Sequence, residues 1–305
     1  MNTIHNVQKR LLENLITLSG ILKPMDGHLY GADKAFNSIE VYKKLYSLRE
    51  KAKLYFDKHI DSDNASVQEK AKCLLDFFFI KCKFKISDPT INALDPWKAM
   101  SSKPIYHDAN SYYIDKVLET KIGSNLSFFA IILDLSDHLG IPFYPMSINS
   151  ILFLRLEIND KTRIKVSDYK DDLYLSFSKT KLCEYTIIER FVSALRKDKI
   201  QIEDLRRLSI KQIDLACVTV LKRVFFVADE AFCSIDVIQW YLSLYPNNTY
   251  ELKDRGLMLE SKECYSQALE DYKKFIKSYP KDQATPFLKE KIKSLEEESS
   301  GFTYN

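Results

Sequence analysis

Glycine is scarce in this sequence, at only 7 of 305 positions. Turns that need a positive φ are therefore few, and abundant Leu, Ile, Lys and Glu favour helix. Charge of one sign is not in large excess either, because 45 Lys and Arg face 42 Asp and Glu, for a net charge of +3. A near-neutral chain without a basic patch argues against a nucleic-acid partner. The hydrophobic fraction of 46% is that of a globular protein.

The six cysteines form no Cys-x-x-Cys pair, and no two Cys or His residues have the spacing of zinc ligands. Several lie in apolar helical patterns, which is typical of buried, reduced thiols in a reducing compartment. No stretch approaches the length of a membrane span, and Glu13 and Asn14 interrupt the apolar run that a signal peptide needs. The sequence thus predicts a cytoplasmic protein with no membrane span, metal or cofactor.

The first hundred residues have helical periodicity. A helix is predicted over 38–59, and Ser66 with Glu69 has the capping-box pattern that begins another. This second helix continues into 77–80, which is apolar all round and therefore expected to be buried.

Between 141 and 177 the pattern changes to short runs typical of strands. Three runs predict strands, at 152–158, 163–166 and 173–177. We expect them to form a small antiparallel sheet packed against a helix that begins at Asn125, in an α+β arrangement. From Cys183 to Glu298 the pattern is helical.

The last hundred residues contain an internal repeat. Tyr245-Pro246 recurs as Tyr279-Pro280 at an offset of about 34 residues, the length of a tetratricopeptide repeat. The first copy carries Lys222 where a glycine would fall. The second copy has the repeat's intervals, with small residues where paired helices touch, an aromatic between them and a proline at the end. These marker residues are Gly256, Ala268, Tyr272 and Pro280. A final helix over 287–295 is expected to cover the exposed end.

The helix predicted at Asn125 has the features of a site that could activate a nucleophile. Gly123-Ser124-Asn125 opens the apolar run 126–133, and Gly140 followed by Pro142 closes it. Free N–H groups and the helix dipole stabilise an anion at the first turn. The side chain of Asn125 is a carboxamide, however, and cannot form a thiolate.

Short stretches, spread in order along the sequence, carry a resemblance to a known family. They are Asn110-Ser111-Tyr112, Val117-Leu118-Glu119, Gly123, Leu139-Gly140-Ile141-Pro142, Phe153-Leu154-Arg155, Phe225-Phe226, Leu244, Pro246-Asn247 and Asp254-Arg255-Gly256-Leu257. From about Ile39 onward the chain resembles the bacterial transglutaminase-like proteins with C-terminal tetratricopeptide repeats, often labelled invasion regulators. The resemblance implies a mostly helical transglutaminase-like core with a small sheet over 1–205. It also implies an all-α, tetratricopeptide-repeat-like region with a terminal capping helix over 206–305.

The same resemblance implies where catalytic residues would lie. The wider papain-like superfamily places a Cys at this helix start, a His on the next strand and an Asp or Asn on the strand after it. Here these positions fall on Asn125, Ile151 and, offset by one residue, Asp168. The nucleophile and the base are therefore missing. The candidate cleft residues are Asn110, Ser111, Tyr112, Gly123 and Ser124.

Each of these candidates also has a structural interpretation. Asn110-Ser111-Tyr112 is either a conformational lock or ligand contact beside the cleft, or a helix cap with Tyr112 packed inward. Ser124 is typical of an N-cap, and the interpretation as a nucleophile is the alternative. Cys183 lies after the sheet, away from the helix start where the fold would activate a thiol.

We favour a non-catalytic interaction or regulatory protein, a pseudoenzyme that binds a protein partner or another subunit through its repeats. One alternative is a thiol- or serine-type hydrolase or acyl transferase with a rearranged site that uses Ser124 or Cys183. Another is a small-molecule sensor that reuses the vestigial cleft.

Overall fold

The chain divides into two compact units, Met1–Cys217 and Val218–Asn305. A computed structural model describes residues 2–22, 36–87, 109–148, 151–159, 161–176, 180–196 and 199–301. Helix predominates and a small antiparallel sheet accompanies it, so the predicted α+β class is confirmed. Most of the polar connection between 87 and 104, and the Ser150 that precedes Ile151, lie outside the described residues.

Helices form most of the first unit. Those that lie wholly within it are α1 (Asn2–Leu22), α2 (Ser38–His59), α3 (Val67–Leu75), α4 (Ile114–Thr120), α5 (Asn125–His138), α6 (Tyr185–Arg196) and α7 (Ile202–Leu205). The predicted bounds of α2 are confirmed, and Asn37 caps it by accepting hydrogen bonds from two backbone N–H groups. The capping box of Ser66 and Glu69 at the start of α3 is confirmed as well.

A π-helical turn, Asp76–Lys81, continues α3. Phe77 and Phe78 are buried, but Ile80 is 70% exposed, so the prediction that 77–80 is buried all round is wrong. The N–H of Cys82 bonds to the carbonyl of Phe77 at 2.8 Å, five residues back. This spacing underwinds the backbone and turns Ile80 toward solvent.

Six strands form two sheets in the described residues. They are β1 (Lys85–Ile86), β2 (Ile122–Gly123), β3 (Phe143–Ile148), β4 (Ile151–Leu156), β5 (Leu173–Ser176) and β6 (Lys181–Glu184). β1 and β2 pair in parallel, whereas β3 to β6 form an antiparallel sheet in sequential order. One apolar core of the unit, which includes Phe153, Tyr174 and Phe191, joins this sheet to α6.

The prediction of a strand over 163–166 is wrong. Residues 161–164 form neither helix nor strand, and a 3₁₀ turn follows at Val166–Tyr169. The alternating pattern would place the Arg163 side chain on the solvent face of a strand. Instead its guanidinium pairs with Asp172 at 2.9 Å and with Glu157 at 3.3 Å. The sheet also contains β3 and β6, which the sequence did not predict. Cys183 consequently lies in β6, and helix resumes only at Tyr185.

α5 is the central helix of the first unit. All residues from 126 to 136 are buried, and both α1 and β3 contact the helix. It ends in a Schellman motif, since Ile141 N–H bonds to Ser136 O at 2.8 Å and Gly140 N–H bonds to Asp137 O at 3.2 Å. The φ of Gly140 is +67°, which confirms the predicted glycine C-cap.

The second unit is helical. The remaining helices of the described residues are α8 (Ile210–Val227), α9 (Ala231–Leu244), α10 (Leu252–Ser261), α11 (Tyr265–Ser278) and α12 (Thr285–Gly301). α8 contains the boundary between the units. α10 packs on α11, and α11 packs on α12.

The internal repeat of the sequence is present in the backbone. α9 and α11 have the same length. α11 begins and ends the same number of residues after α9 as Tyr279 follows Tyr245. The turns that precede them contain Asp229 at φ +62° and Glu263 at φ +61°, which are related by the same offset. Glu230 N–H bonds to Phe225 O at 2.8 Å, and Cys264 N–H repeats this bond to Leu259 O at 2.9 Å.

Gly256 and Tyr272 explain why the second copy keeps its glycine. A Cβ at position 256 would lie 2.5 Å from the Tyr272 ring, so only glycine allows this contact between α10 and α11. The first copy carries Lys222 and Ile238 at the equivalent positions, and Ile238 is buried. The glycine of the second copy thus faces the large Tyr272, whereas the lysine of the first copy is paired with the smaller Ile238.

Candidate functional site

The three positions of the expected catalytic set lie on three different elements. Asn125 is the first residue of α5 and is half-buried, Ile151 begins β4, and Asp168 lies in the 3₁₀ turn. Within the described part of the chain, no hydrogen bond joins any two of them. The structure therefore shows no acid–base pair at these positions.

Ser124 is the N-cap of α5. Its Oγ accepts a hydrogen bond from Ser127 N–H at 3.2 Å, and the two hydroxyls are 3.2 Å apart. Ser127 Oγ also donates to Ser111 O at 2.9 Å. All three serines are buried. The interpretation of Ser124 as a cap is confirmed, and its hydroxyl stabilises the first turn of the helix.

Gly123 allows this helix start to be closely packed. A Cβ at position 123 would lie 2.5 Å from the Phe128 ring and 2.7 Å from Ser127 Oγ. The ring of Phe128 packs edge-on against Phe78 and Phe84. The first turn of α5 is thus enclosed by aromatic side chains, and a bulkier residue at position 123 would displace them.

Asn110 and Ser111 lie in a short 3₁₀ turn, Ala109–Ser111. Ser111 contributes its backbone carbonyl, which accepts from Ser124 N–H at 2.9 Å, whereas its buried Oγ has no hydrogen-bond partner among the described residues. α4 begins after Tyr113 without a side-chain cap, so the helix cap expected from Ser111 or Asn110 is not supplied by the Ser111 side chain. Tyr112 does pack inward, and burial raises the pKa of its phenol.

Ile151 and Asp168 both have structural roles. Ile151 packs against the core between the sheet and α6. The carboxylate of Asp168 accepts hydrogen bonds from Ile164 N–H and Lys165 N–H, each at 2.9 Å. These backbone donors hold the pKa of Asp168 below its usual range. Asp168 therefore caps the 3₁₀ turn locally.

Three of the six cysteines are poorly suited to act as nucleophiles. None of the six forms a disulfide in the described residues, and burial raises the pKa of the thiols of Cys73, Cys82 and Cys217. A raised pKa disfavours the thiolate that a nucleophile requires. Cys183 lies on β6, where its Sγ is 4.0 Å from Lys181 O. The part of the chain that the structure describes contains no group of three His, Cys, Asp or Glu residues suited to a metal.

The structure shows an ionic cluster that the sequence analysis missed. The guanidinium of Arg155 on β4 is buried and bonds to Leu205 O at 2.6 Å and to the carboxylate of Glu157. Arg207 also bonds to Glu157, at 2.8 Å, and Arg163 pairs with Asp172. An arginine at the end of the apolar run Phe153-Leu154-Arg155 was the available signal, because a buried charge needs partners.

Aromatic rings and charge balance determine the electrostatics of this cluster. Arg155 lies 4.6 Å from the centroid of the Tyr169 ring, and Arg207 lies 3.6 Å from that of Tyr144. Burial acts to raise the pKa of Glu157, but the hydrogen bond from Arg207 and the surrounding guanidinium charges outweigh it, so the pKa is lowered. The cluster connects β4 to residues 205–207, and both of its carboxylates, Glu157 and Asp172, pair with arginines.

No helix in the described ranges is long and apolar enough to cross a membrane.

The fold is that of an α+β protein in which two of the three expected catalytic positions, Ile151 and Asp168, have structural roles. The chain is 29% identical over 194 residues to a UPF0162 protein of Pasteurella multocida, which covers 64% of this chain and 70% of that relative. It is 24% identical over 202 residues to protein SirB1 of Salmonella typhimurium, or 65% and 71% of the two chains. A UPF0162 protein of Buchnera aphidicola is 22% identical over 289 residues and covers 94% of this chain and 93% of its own.

No protein-family model matches the sequence. No solved structure matches it either. The similar proteins are thus UPF0162 proteins together with SirB1, a set that is compatible with the family expected from the sequence.

Proposed function

We propose that this chain is a non-catalytic interaction protein, a degenerate transglutaminase-like core joined to a tetratricopeptide-like region that docks a protein segment. The observation that carries this proposal is the role of each expected catalytic position. Asn125 has no ionisable proton, Ile151 packs in the core, and the carboxylate of Asp168 caps a turn. Acyl transfer needs a nucleophile and a base within hydrogen-bond reach, and these residues supply neither.

The second unit supports the interaction part of the proposal. Repeated helix pairs bury one face against their neighbours and leave another face free for a ligand. Here the paired helices α10 and α11 bury Gly256, Ala268 and Tyr272 at the positions expected for a tetratricopeptide repeat. The matching turns at Asp229 and Glu263 extend this arrangement to α8 and α9.

The absence of catalysis is tested on the full chain. We expect no hydrolysis of a peptide nitroanilide and no incorporation of a fluorescent amine into casein above a heat-denatured control. Ser124→Ala and Cys183→Ala variants should give the same background. Activity in the unchanged chain that either substitution abolishes would establish a rearranged hydrolase or acyl transferase and overturn the proposal.

Docking is tested by site-specific cross-linking in the native host. A photoreactive phenylalanine analogue replaces Phe287, which is exposed on α12, or Lys277, which is exposed on α11 as a control position. We expect one defined cross-linked species from position 287 that is absent from position 277 and that mass spectrometry assigns to a single protein segment. Equal labelling at both positions, or none at either, contradicts the docking role.

A further inference from the structure

One surface of the second unit combines exposed aromatic rings with positive charge. Lys291 on α12 pairs with Glu260 on α10 at 2.5 Å, so an ion pair links these two helices. Phe287 is four residues before Lys291, and Lys253 is seven before Glu260. Each therefore lies on the same side of its helix as the residue that forms the ion pair. We call Arg223, Tyr250, Lys253, Leu257, Phe287 and Lys291 the basic aromatic face.

Arg223 belongs to this face because of the repeat. It occupies the position in the first copy that Leu257 occupies in the second, and it is exposed on α8, as Leu257 is partly exposed on α10. A direct contact connects the same two helices, since Lys222 Nζ bonds to Asp254 at 2.7 Å. The face therefore continues across α8, α10 and α12.

The rings of this face are exposed and lie beneath lysine ammonium groups. Tyr250 is 43% exposed and Phe287 is 50% exposed. Lys253 Nζ lies 4.6 Å from the centroid of the Tyr250 ring, and Lys291 Nζ lies 5.3 Å from that of Phe287. The edges of Tyr250 pack on Phe275 and Tyr279, which hold the ring in place. Fixed rings of this kind offer apolar contact area at a low entropic cost.

The carboxylates of α10 and of the turn before it are already paired, whereas Glu290 on α12 is exposed and forms no ion pair in the described residues. Glu251 and Asp254 both bond to Lys222, and Glu260 accepts from Lys291 and from the Tyr272 hydroxyl. Over residues 199–301, by contrast, no carboxylate forms an ion pair with Arg223 or Lys253. The face thus presents two cations without a counter-charge beside two apolar rings, which is complementary to an acidic ligand with apolar side chains.

We propose that the basic aromatic face binds an acidic peptide segment of a partner protein. Its carboxylates pair with Lys253 and Arg223, and its apolar side chains cover Tyr250 and Phe287. This inference rests on the proposed docking function and assigns the surface and the chemistry of its ligand. An oligonucleotide is the competing anion, but the aliphatic Leu257 and the small number of unpaired cations favour a peptide.

The test uses the full chain and a defined probe, a fluorescein-labelled 12-residue peptide of alternating Glu and Leu. We expect a rise in fluorescence anisotropy on binding and affinity that falls as NaCl is raised from about 50 to about 500 mM, because salt screens these ion pairs. A peptide with Lys in place of Glu should bind at least about tenfold more weakly, since like charges then face each other. Tighter binding of a single-stranded oligonucleotide than of the Glu peptide would overturn the proposal.

Charge reversal locates the binding surface. The double variant Arg223→Glu and Lys253→Glu should bind the Glu peptide at least about tenfold more weakly and should gain affinity for the Lys peptide. Lys277→Glu is the matched control, because Lys277 is exposed on α11 with no ion pair among the described residues. Circular dichroism and thermal melting verify that each variant is folded.

Each outcome bears on the two proposals separately. No binding of the Glu peptide, or equal losses in Lys277→Glu and in the double variant, removes the acidic-peptide proposal. If cross-linking at position 287 still captures a single defined segment, the docking function stands with a different ligand chemistry. If cross-linking fails as well, both proposals fall.

Discussion

Arg10 and Asp214 form a two-point ion pair between residues 204 positions apart in the sequence. The two bonds are 2.7 and 2.9 Å long, and Asn14 donates a third to the same carboxylate at 2.7 Å. The side chain of Asp214 is fully buried. Since all three of these donors are on α1, this carboxylate anchors the first helix to the start of α8.

Asp214→Ala should destabilise the first unit strongly. Removing the carboxylate takes away two charge-assisted hydrogen bonds from Arg10 and one from Asn14, and breaking a buried pair of this kind costs about 3–5 kcal/mol. Hydrogen exchange of the α1 amides measures this loss without interference from the second unit. Lys9→Ala is the control, because Lys9 is half-exposed and 3.5 Å from Asp137, and we expect it to cost under about 1 kcal/mol. Equal effects of the two substitutions would contradict the anchoring role.

Gly256→Ala should destabilise the pairing of α10 with α11. The new methyl would overlap the Tyr272 ring, and overpacking of this kind costs about 1–3 kcal/mol. Adding Tyr272→Ile recreates the smaller partner that the first copy has in Ile238, so the double variant should lose less than the sum of the two single losses. Hydrogen exchange of the amides in α10 and α11 reports the effect. Additive losses would show that the two side chains do not compete for space.

Local patterns predicted the elements whose residues interact with near neighbours. The helix over 38–59, the capping box at Ser66, the cap at Ser124 and the glycine end of α5 all depend on contacts within a few positions. Their hydrogen bonds connect residues that the sequence places side by side, so residue type and spacing were sufficient evidence.

The missed strands lie at the two edges of the sheet. β3 contains Pro145, which lowers the strand signal but is tolerated because an edge strand needs to pair on one side only. β6, at the other edge, has a short polar sequence with no alternation. β6 buries little of its surface, so the pattern used to recognise a strand is weak in it. β3 was missed although it buries Phe143, Met146 and Ile148.

The ionic cluster around Arg155 could not be predicted for a different reason. Arg207 and Glu157 are 50 residues apart, and only the folded chain brings them together. A sequence shows that a buried arginine needs a partner but does not show which carboxylate supplies it. The same limit explains the incorrect strand at 163–166, because the pairing of Arg163 with Asp172 is set by the fold.

Ser124→Ala should cost about 1 kcal/mol of stability, the usual contribution of an N-cap side chain. The hydroxyl satisfies Ser127 N–H, which would otherwise be a buried donor without a partner. Ser124→Thr keeps the hydroxyl and should retain most of this stability. Hydrogen exchange at the first turn of α5 distinguishes the two variants. Equal exchange in both would show that the hydroxyl does not cap the helix.

Glu157 should make the stability of the first unit dependent on pH in the acidic range. Its pKa is lowered in the folded chain. The stabilisation is therefore complete above the pKa of the unfolded chain, about 4.3, and is lost as the pH falls through the lower pKa of the folded chain. Glu157→Gln removes the charge that Arg155 and Arg207 share, so we expect a loss of about 3 kcal/mol at pH 7.

The difference in stability between the unchanged chain and Glu157→Gln should shrink as the pH drops below about 4, because protonation then removes the same charge from the unchanged chain. Hydrogen exchange of the β4 amides from pH 7 down to about 3, corrected for intrinsic exchange rates, measures this convergence. Glu184→Gln is the control, since Glu184 is exposed on β6, and it should change stability little at any pH. A difference that stays constant across this range would mean that Glu157 is not ionised within the cluster.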